Sequence, residues 1–506
     1  MAKICLSLTA KTLSRNLEIL NKYRKYIDLA ELRVDCLDPD ESLSLRRFPA
    51  MAGLPVILTI RRTIEGGLFS GGEAARIILL SKGLAFAEAD RRNNFSYVEL
   101  EEDVNVPGIV EAARAFGTRI IRSYHNIHGM DMDLTAKLRG LRRYEDEIAK
   151  VVVMPHSLDD VAKLYRTAAE TGGMDKILLC LGDYGANTRI LAERLGCFLS
   201  HVTIKGESDV PPAFPGQLDP IELAETFRFR SIKRDTKIFA LTGFPLKVSS
   251  SIRFFNKVFS IEKDDAVYVP FPSDSFESMI ALASEINIAG IAVTIPHKEA
   301  STLSLSWGSE QVRSTGACNT LVAGEQGWMG YNTDVWGFSD SLLNFSGLKN
   351  LKGRKITIVG TGGSARAVCA VVSALKGKAL ILNRTVVKAR TLAAQYGFAW
   401  GGLDSQGFGM MKKYSDIIIQ TTPVGMEGGL DADLLDFYQF TGKELVMDLI
   451  YNPKKTRCLL RAEQAGCKIL NGYDMLLRMA RYQYKYFIGK EFPPSLVDRV
   501  GLLESF

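Results

Sequence analysis

The chain of 506 residues lacks any apolar run approaching the roughly 18 residues that a membrane-spanning helix needs. Its first ten residues, MAKICLSLTA, lack the charged-then-apolar layout of a secretory signal. A cytoplasmic protein with no membrane partner is therefore expected. Blocks of five or more like charges are absent too. The net charge of +6 is spread through mixed stretches such as RGLRRYEDE (139–147). That pattern argues against a nucleic-acid partner and suits small anionic ligands. None of the eight cysteines, at 5, 36, 180, 197, 318, 369, 458 and 467, forms a CxxC pair. Neither a zinc site nor a redox pair is expected, and no metal is implied; reduced, buried thiols are the default. Internal repeats and low-complexity tracts do not occur, which excludes solenoids and arrays. What remains is ordinary globular material, 46% hydrophobic and 24% charged. It is long enough for two or three domains of about 100–200 residues.

Short apolar strands alternate with helical stretches over the first 220 or so residues. The strand candidates are 3–9, 26–34, 55–61, 95–101, 118–125, 147–154, 176–182 and 198–204, with helix-like segments such as SLDDVAKLYRTAAETG between them. Eight strand–helix repeats predict an α/β fold beginning with a (β/α)8 barrel over residues 1–225. The pattern breaks at 220–236, where ELAETFRFRSIKRDTK is read as helical and then charged. Strands resume at 237–243, 266–271 and 290–296 within a segment 237–345. A second alternation, at 354–360, 378–384, 416–422 and 444–450, marks a dinucleotide-binding, Rossmann-like segment 346–474. Helices from about 475 to 506 are expected to pack back onto segment 237–345.

Barrel chemistry sits where strands end on the carboxyl side. Glu31, Arg33, Arg61, Glu101, His125 and Lys150 occupy such ends, with Arg189 just beyond the seventh strand. Lys150 lies inside the apolar run EIAKVVVM, either as a snorkelling lysine or as a desolvated amine able to attack a carbonyl. His125, in SYHN, titrates near neutrality and is the acid–base candidate. Glu101 closes the neighbouring strand and is placed to fix the imidazole tautomer. The arginines suit a carboxylate-bearing substrate held by forked donors.

These residues lie in AELRVD (30–35), LTIRRTIEGG (58–67), YVELE (97–101), SYHN (123–126), AKVVV (149–153), GDYGANTRI (182–190) and FPGQLD (214–219). In this order the segments resemble the type I 3-dehydroquinate dehydratases. The resemblance implies a cofactor-free Schiff-base dehydration of 3-dehydroquinate to 3-dehydroshikimate. It implies Lys150 as the imine-forming lysine, His125 as the proton shuttle and Glu101 as its orienting acid. Glu31, Arg33, Arg61, Arg189 and Gln217 become substrate contacts. One departure is Ala213-Phe214-Pro215 where the family reads Ser-Ala-Pro, so a hydroxyl is missing.

In the second half, ITIVGTGGSARAV (356–368) joins a strand to a helix through glycines. Gly360, Gly362 and Gly363 would let a pyrophosphate reach the helix N-terminus. The next strand ends Asn383-Arg384-Thr385, donors and a positive charge where an NAD site places an acid. A 2′-phosphate, and hence NADP, is the expected cofactor; the alternative for Arg384 is an ordinary surface charge. Lys298, after VTIP, and Asp334, in YNTD, are candidates to move the proton that accompanies hydride transfer. Ser249 and Ser251 are carboxylate-binding hydroxyls or helix N-caps.

GFPLKVSSS (243–251), AVTIPHKE (292–299), GACNTLV (316–322), GYNTDVWG (330–337), GTGGSARA (360–367), TTPVGM (421–426), MDLIYNP (447–453) and NGYDML (471–476) resemble shikimate dehydrogenases in family order. The resemblance implies reduction of 3-dehydroshikimate to shikimate with NADPH, by the pair Lys298 and Asp334. It places Ser249, Ser251, Thr294 and Asn319 at the substrate. Gly362, Gly363, Asn383, Arg384 and Thr385 go to NADP, with Met426 near the nicotinamide. Ile252, Phe255, Ala292 and Met479 depart from the family pattern, the last replacing a hydrogen-bonding amide by a thioether. Two other readings are quinate or a related hydroxy acid as substrate, and a ligand-sensing regulator without activity. A regulator is expected to have lost its nucleophile or proton donors, yet Lys150, His125, Lys298 and Asp334 are all present.

Overall fold

The computed structural model describes residues 1–85, 90–204, 206, 216–246, 250–493 and 496. Eight parallel strands come first: β1 (Lys3–Leu8), β2 (Leu29–Arg33), β3 (Val56–Thr59), β4 (Tyr97–Glu101), β5 (Arg119–Asn126), β6 (Ile148–Val153), β7 (Lys176–Cys180) and β8 (Leu199–Val202). Their spatial order is 7-6-5-4-3-2-1-8, and the outer strands approach one another through a parallel bridge between Lys176 and Cys197. The sheet is thus a barrel. Helices separate the strands as the alternation predicts; Leu158–Glu170 begins where the Ser157 side chain accepts the Asp160 N–H at 3.3 Å, an N-cap.

Strand periodicity sorts the barrel interior into layers. Cys5, Leu29, Ile57, Ile121, Ile148, Ile177 and Leu199 form one apolar cluster. Two residues further along, on the same face, stand Ser7, Glu31, Thr59, Ser123, Lys150 and His201, joined by Glu99, two beyond Tyr97 of β4, while β7 carries the apolar Leu179 at that level. An apolar floor therefore lies under a polar layer.

The junction differs from a single helix. Only Glu222–Thr226 and Phe229–Ser231 are helical turns, with Arg228 in the left-handed region at φ 51°. Leu223, Phe227, Phe229 and Ile232 are all buried, a spacing that one helical face does not accommodate.

A mixed sheet follows, made of β9 (Lys237–Thr242), β10 (Ala266–Pro270), β11 (Ile288–Val293), β12 (Leu305–Gly308), β13 (Thr320–Gly324) and β14 (Gly327–Tyr331), ordered 10-9-11-13-14-12. The antiparallel hairpin of β13 and β14, and β12 beside it, were not expected from sequence. Their segments are short and glycine-containing, and β12 is largely exposed, so period-two patterning is weak. Then come β15 (Lys355–Val359), β16 (Lys378–Leu382), β17 (Ala399–Gly401), β18 (Ile417–Gln420), β19 (Leu445–Asp448) and β20 (Lys468–Leu470), ordered 17-16-15-18-19-20 with every pairing parallel. Alternate residues of these strands enter two separate cores. Ile356, Ile358, Ile381 and Ile417 face one way and Val359, Leu380, Leu382 and Ile418 the other. Burial on both faces explains the continuous apolar runs.

Two compact units result: Met1–Ile238 with Pro245–Asn287, and Phe239–Phe244 with Ile288 onward. Residues 245–287, grouped by sequence with 237–345, are tied within the first unit by polar contacts. Arg166 Nε lies 3.0 Å from the Glu285 carboxylate, and Ser278 Oγ donates to Asp159 at 3.0 Å. In the second unit the helix Tyr473–Ile488 lies along Thr333–Ser346, where Gly337 has no Cβ to strike Met479 N, 2.8 Å away from that position. No helix among the described residues is long and apolar enough to cross a membrane.

Candidate functional site

In the first unit the polar layer converges on one carboxylate. Lys150 is 2% exposed and donates from Nζ to Glu99 Oε2 at 2.8 Å. Arg61 Nη2 donates to Glu99 Oε1 at 2.6 Å and lies 3.5 Å from Glu31 Oε1. His125 Nε2 stands 3.5 Å from Glu99 Oε1. Neither ring nitrogen of His125 has a hydrogen-bond partner among the described residues. The lysine is thus enclosed, as one of the two sequence readings holds, but it is ion-paired rather than bare.

Burial pushes the Glu99 carboxyl upward, and Arg61 and Lys150 more than reverse that, leaving it well below the ordinary range. Glu31 is likewise raised by burial but lowered overall by His201, Lys150 and Arg61. Burial, then Arg61 and Lys150, push the His125 imidazole well below its usual value, so it is neutral. The site holds charged carboxylates, a guanidinium and a neutral proton acceptor within a few ångströms.

Glu101 does not orient His125. Its Oε2 accepts from Arg76 Nη1 at 2.5 Å, while Arg76 also binds Ile60 O. Burial and Glu65 push this carboxyl up to about 7. Both acids of YVELE have the same strand parity; the buried arginine on the helix Glu73–Leu84 captures the outer one and leaves the inner one to the lysine. Glu99 is therefore the residue that sequence reasoning missed, although its even spacing from Glu101 within the strand was a usable signal.

The other predicted contacts are held elsewhere. Arg33 forms a two-point pair with Asp35, at 2.9 and 2.7 Å. Arg189 Nη1 donates to Cys180 O at 2.7 Å, and burial lowers its pKa to about 10. Gln217 accepts from Thr203 Oγ1 at 2.5 Å. Just before it Gly216 has φ 79°, and a Cβ there would lie 2.1 Å from Gly182 O. Ala213 lies outside the described residues.

In the second unit Lys298 Nζ donates to Asp334 Oδ2 at 2.6 Å. Asn319 Nδ2 donates to Asp334 Oδ1 at 2.9 Å and to Thr333 Oγ1 at 3.0 Å. Asn319 precedes β13 and Asp334 follows β14, so the hairpin brings them together. Gln483, also missed from sequence, donates to Thr320 Oγ1 at 2.9 Å and braces the same corner. Thr294 closes β11 by donating its N–H to Thr242 O at 2.9 Å. Ser251 is buried near the start of the helix Ser250–Glu262 in the first unit, and Ser249 lies outside the described residues. Of the departures, Phe255 stacks on Tyr268 at 4.6 Å and Ala292 is buried in β11, both as packing residues.

The glycine loop adjoins the lysine. A Cβ on Gly363 would lie 3.0 Å from Lys298 Cβ, and one on Gly360, at φ 113°, 2.5 Å from Thr421 Oγ1. Gly362 has open space where a Cβ would point, at the start of the helix Gly363–Ala374. The loop sits at β15, where the strand order reverses, the position at which open parallel sheets bind ligands. After β16, Asn383 Nδ2 binds Thr385 O at 3.0 Å, and Arg384 and Thr385 are exposed with no acid in Asn383-Arg384-Thr385. Met426 is half-buried after the turn closed by its N–H to Pro423 O. This cradle fits a phosphorylated dinucleotide.

The chain is similar to known proteins in both units. A family model described as type I 3-dehydroquinase matches residues 4–234, and one described as shikimate dehydrogenase substrate binding domain matches 241–321. A chloroplastic bifunctional 3-dehydroquinate dehydratase/shikimate dehydrogenase from Arabidopsis thaliana is 27% identical over 490 residues, 93% of this chain and 79% of its own. The NADP(+) shikimate dehydrogenase of Pyrococcus abyssi is 32% identical over 266 residues, 53% of this chain and 97% of its own. A crystal structure of shikimate dehydrogenase in complex with NADP+ is 31% identical and covers 53% of this chain and 96% of that one, with a TM-score of 0.48. The chain belongs to the shikimate dehydrogenase family through its second half, joined to a type I 3-dehydroquinase domain in its first.

Proposed function

We propose that the chain catalyses two successive reactions, dehydration of 3-dehydroquinate to 3-dehydroshikimate in the barrel and NADPH-dependent reduction of 3-dehydroshikimate to shikimate in the second unit. The observation that carries this reading is Lys150, enclosed in the barrel against a carboxylate that also faces a neutral imidazole.

In the barrel, Lys150 Nζ passes a proton toward Glu99 and attacks the substrate ketone. The carbonyl oxygen leaves as water and a C=N bond forms. The iminium withdraws electrons from the adjacent carbon, whose proton is taken by the neutral His125. The β-hydroxyl leaves, protonated by the same imidazole, and hydrolysis of the C=N bond returns the amine. Arg61 favours the charged form of Glu99, so the carboxyl gives its proton up again, and it faces the substrate with Glu31. Arg33, Arg189 and Gln217 lie beyond this inner set and act as outer contacts once substrate is bound.

In the second unit, Gly360, Gly362 and Gly363 would receive the pyrophosphate, Asn383, Arg384 and Thr385 the 2′-phosphate end, and Met426 the nicotinamide side. The cofactor, when bound, supplies a hydride to the carbonyl carbon. Lys298 Nζ gives a proton to the carbonyl oxygen, and Asp334 Oδ2 holds that ammonium in line. Asn319 fixes the Asp334 carboxylate, and Thr294 binds the substrate. Compartment follows the same reading: eight thiols, all free and buried, support a reducing cytoplasm.

A coupled assay tests the whole proposal. The full chain supplied with 3-dehydroquinate and NADPH is expected to release shikimate, and borohydride added with 3-dehydroquinate alone is expected to add mass at Lys150. Failure to form either 3-dehydroshikimate or shikimate overturns the assignment of the corresponding half.

A further inference from the structure

Arg61 stands between two carboxylate–imidazole pairs, and the mechanism uses only one of them. On one side Glu99 faces His125 at 3.5 Å. On the other side Glu31 Oε2 lies 3.4 Å from His201 Nδ1. Arg61 Nη2 reaches both acids, at 2.6 Å to Glu99 and 3.5 Å to Glu31. His201 belongs to β8, where Leu199 and His201 share a face and Leu199 is part of the apolar floor. Its backbone pairs with Cys5 of β1, so the ring rises from the floor into the polar layer. The side chain is 11% exposed.

The hydrogen bonds define the ring's orientation. Ser7 Oγ donates to Glu31 Oε2 at 2.6 Å, and Nδ1 of His201 lies 3.4 Å from that same hydroxyl oxygen. With the Ser7 proton committed to the carboxylate, Nδ1 has only acceptors around it and carries the ring proton. Nε2 then presents a lone pair. That nitrogen is buried and has no partner among the described residues. Burial, then Lys150, lowers the His201 pKa to about 3, in keeping with a neutral ring. A buried acceptor without a donor is unfavourable unless a ligand supplies one.

We infer that His201 is a substrate-specificity residue of the barrel, accepting a hydrogen bond from a substrate hydroxyl through Nε2 while its Nδ1–H braces Glu31. This inference rests on the proposed dehydration. It assigns the hydroxylated side of a polyhydroxy cyclic carboxylate to the β8–β2 wall, opposite the side where His125 moves protons.

The test uses steady-state dehydration by the full chain, with reduction of 3-dehydroshikimate as the internal control for folding. His201→Ala is expected to raise KM for 3-dehydroquinate about tenfold, roughly the value of one buried hydrogen bond, and to change kcat by less than about threefold. His201→Gln places a carbonyl oxygen near the former Nε2 and is expected to recover most of the KM. His201→Asn retains only the Glu31 contact and is expected not to. An unchanged KM in His201→Ala overturns the inference, as does recovery by Asn but not Gln, which would mean bracing alone. A kcat loss matching that of His125→Ala at unaltered KM also overturns it. If wild-type protein makes no 3-dehydroshikimate, the proposed dehydration itself is wrong and this role falls with it; an active wild type with an indifferent His201 removes only the role.

Discussion

Lys150 and Lys298 are each paired with a carboxylate, at 2.8 and 2.6 Å, but the two pairs are built differently. Lys150 sits in mid-strand, 2% exposed, and its acid is shared with Arg61 and faced by His125. Lys298 sits just past β11, 14% exposed, and its acid is held by one amide, Asn319. A nucleophile that forms a bond to substrate gains from rigid enclosure and from several groups that manage protons around it. A proton donor needs one partner to aim it and an approach for two ligands, which the missing Cβ of Gly363 leaves open.

The sharpest way to break this contrast is to remove each amine in turn. Lys150→Ala is expected to lower dehydration by on the order of 10⁴-fold or more and to abolish borohydride trapping, with reduction unaffected. Lys298→Ala is expected to lower kcat for reduction by about 10²–10⁴-fold while dehydration stays intact. Cross-effects in either variant would show that the two amines do not serve separate reactions.

Within the barrel, Glu99→Gln is expected to reduce dehydration kcat by about 10²-fold, the range of a lost proton-transfer partner. Glu101→Gln is expected to change kcat less than about fivefold and to lower the thermal midpoint, since it weakens a buried charge-assisted bond to Arg76. Equal kinetic losses would restore Glu101 to the site. On the cofactor side, Arg384→Ala is expected to raise KM for NADPH about tenfold and leave KM for NADH unchanged. A parallel change for both cofactors would make Arg384 an ordinary surface charge.

Acid should separate the barrel from the second unit by the smallest of these effects. His201 is lowered from an ordinary 6.5 to about 3 by burial and then Lys150. Between those values the unfolded chain binds a proton that the folded barrel refuses, so stability is full above about 6.5 and is lost as pH falls toward 3. His125 acts in the same sense. The denaturant midpoint of the barrel transition is therefore expected to fall over that window, and His201→Gln to flatten part of the slope. A wild-type midpoint that does not move between pH 6.5 and 4 would contradict the neutral imidazoles.

Much of the architecture was readable because its physics is local. Eight apolar strands with helices between them specify a parallel barrel, and the doubly apolar strands β15, β16, β18 and β19 specify a sheet covered on both faces. Glycines between a strand and a helix marked the nucleotide loop, since close backbone approach tolerates no Cβ. The short pieces β12, β13, β14, β17 and β20 were not legible, being three to five residues long with weak alternation.

The sequence by itself determined which residue types stand within or just beyond the strands, including Lys150, His125, Lys298 and Asp334, because strand period and segment order are properties of the chain alone. Only the tertiary structure decided their partners. Arg76 takes Glu101 and so leaves Glu99 to the lysine; the β13–β14 hairpin delivers Asn319 to Asp334; β8 closes against β1 and brings His201 to Glu31. Each depends on contacts between residues 15 to 170 positions apart, where packing and charge pairing, not periodicity, choose between neighbours of the same chemical kind.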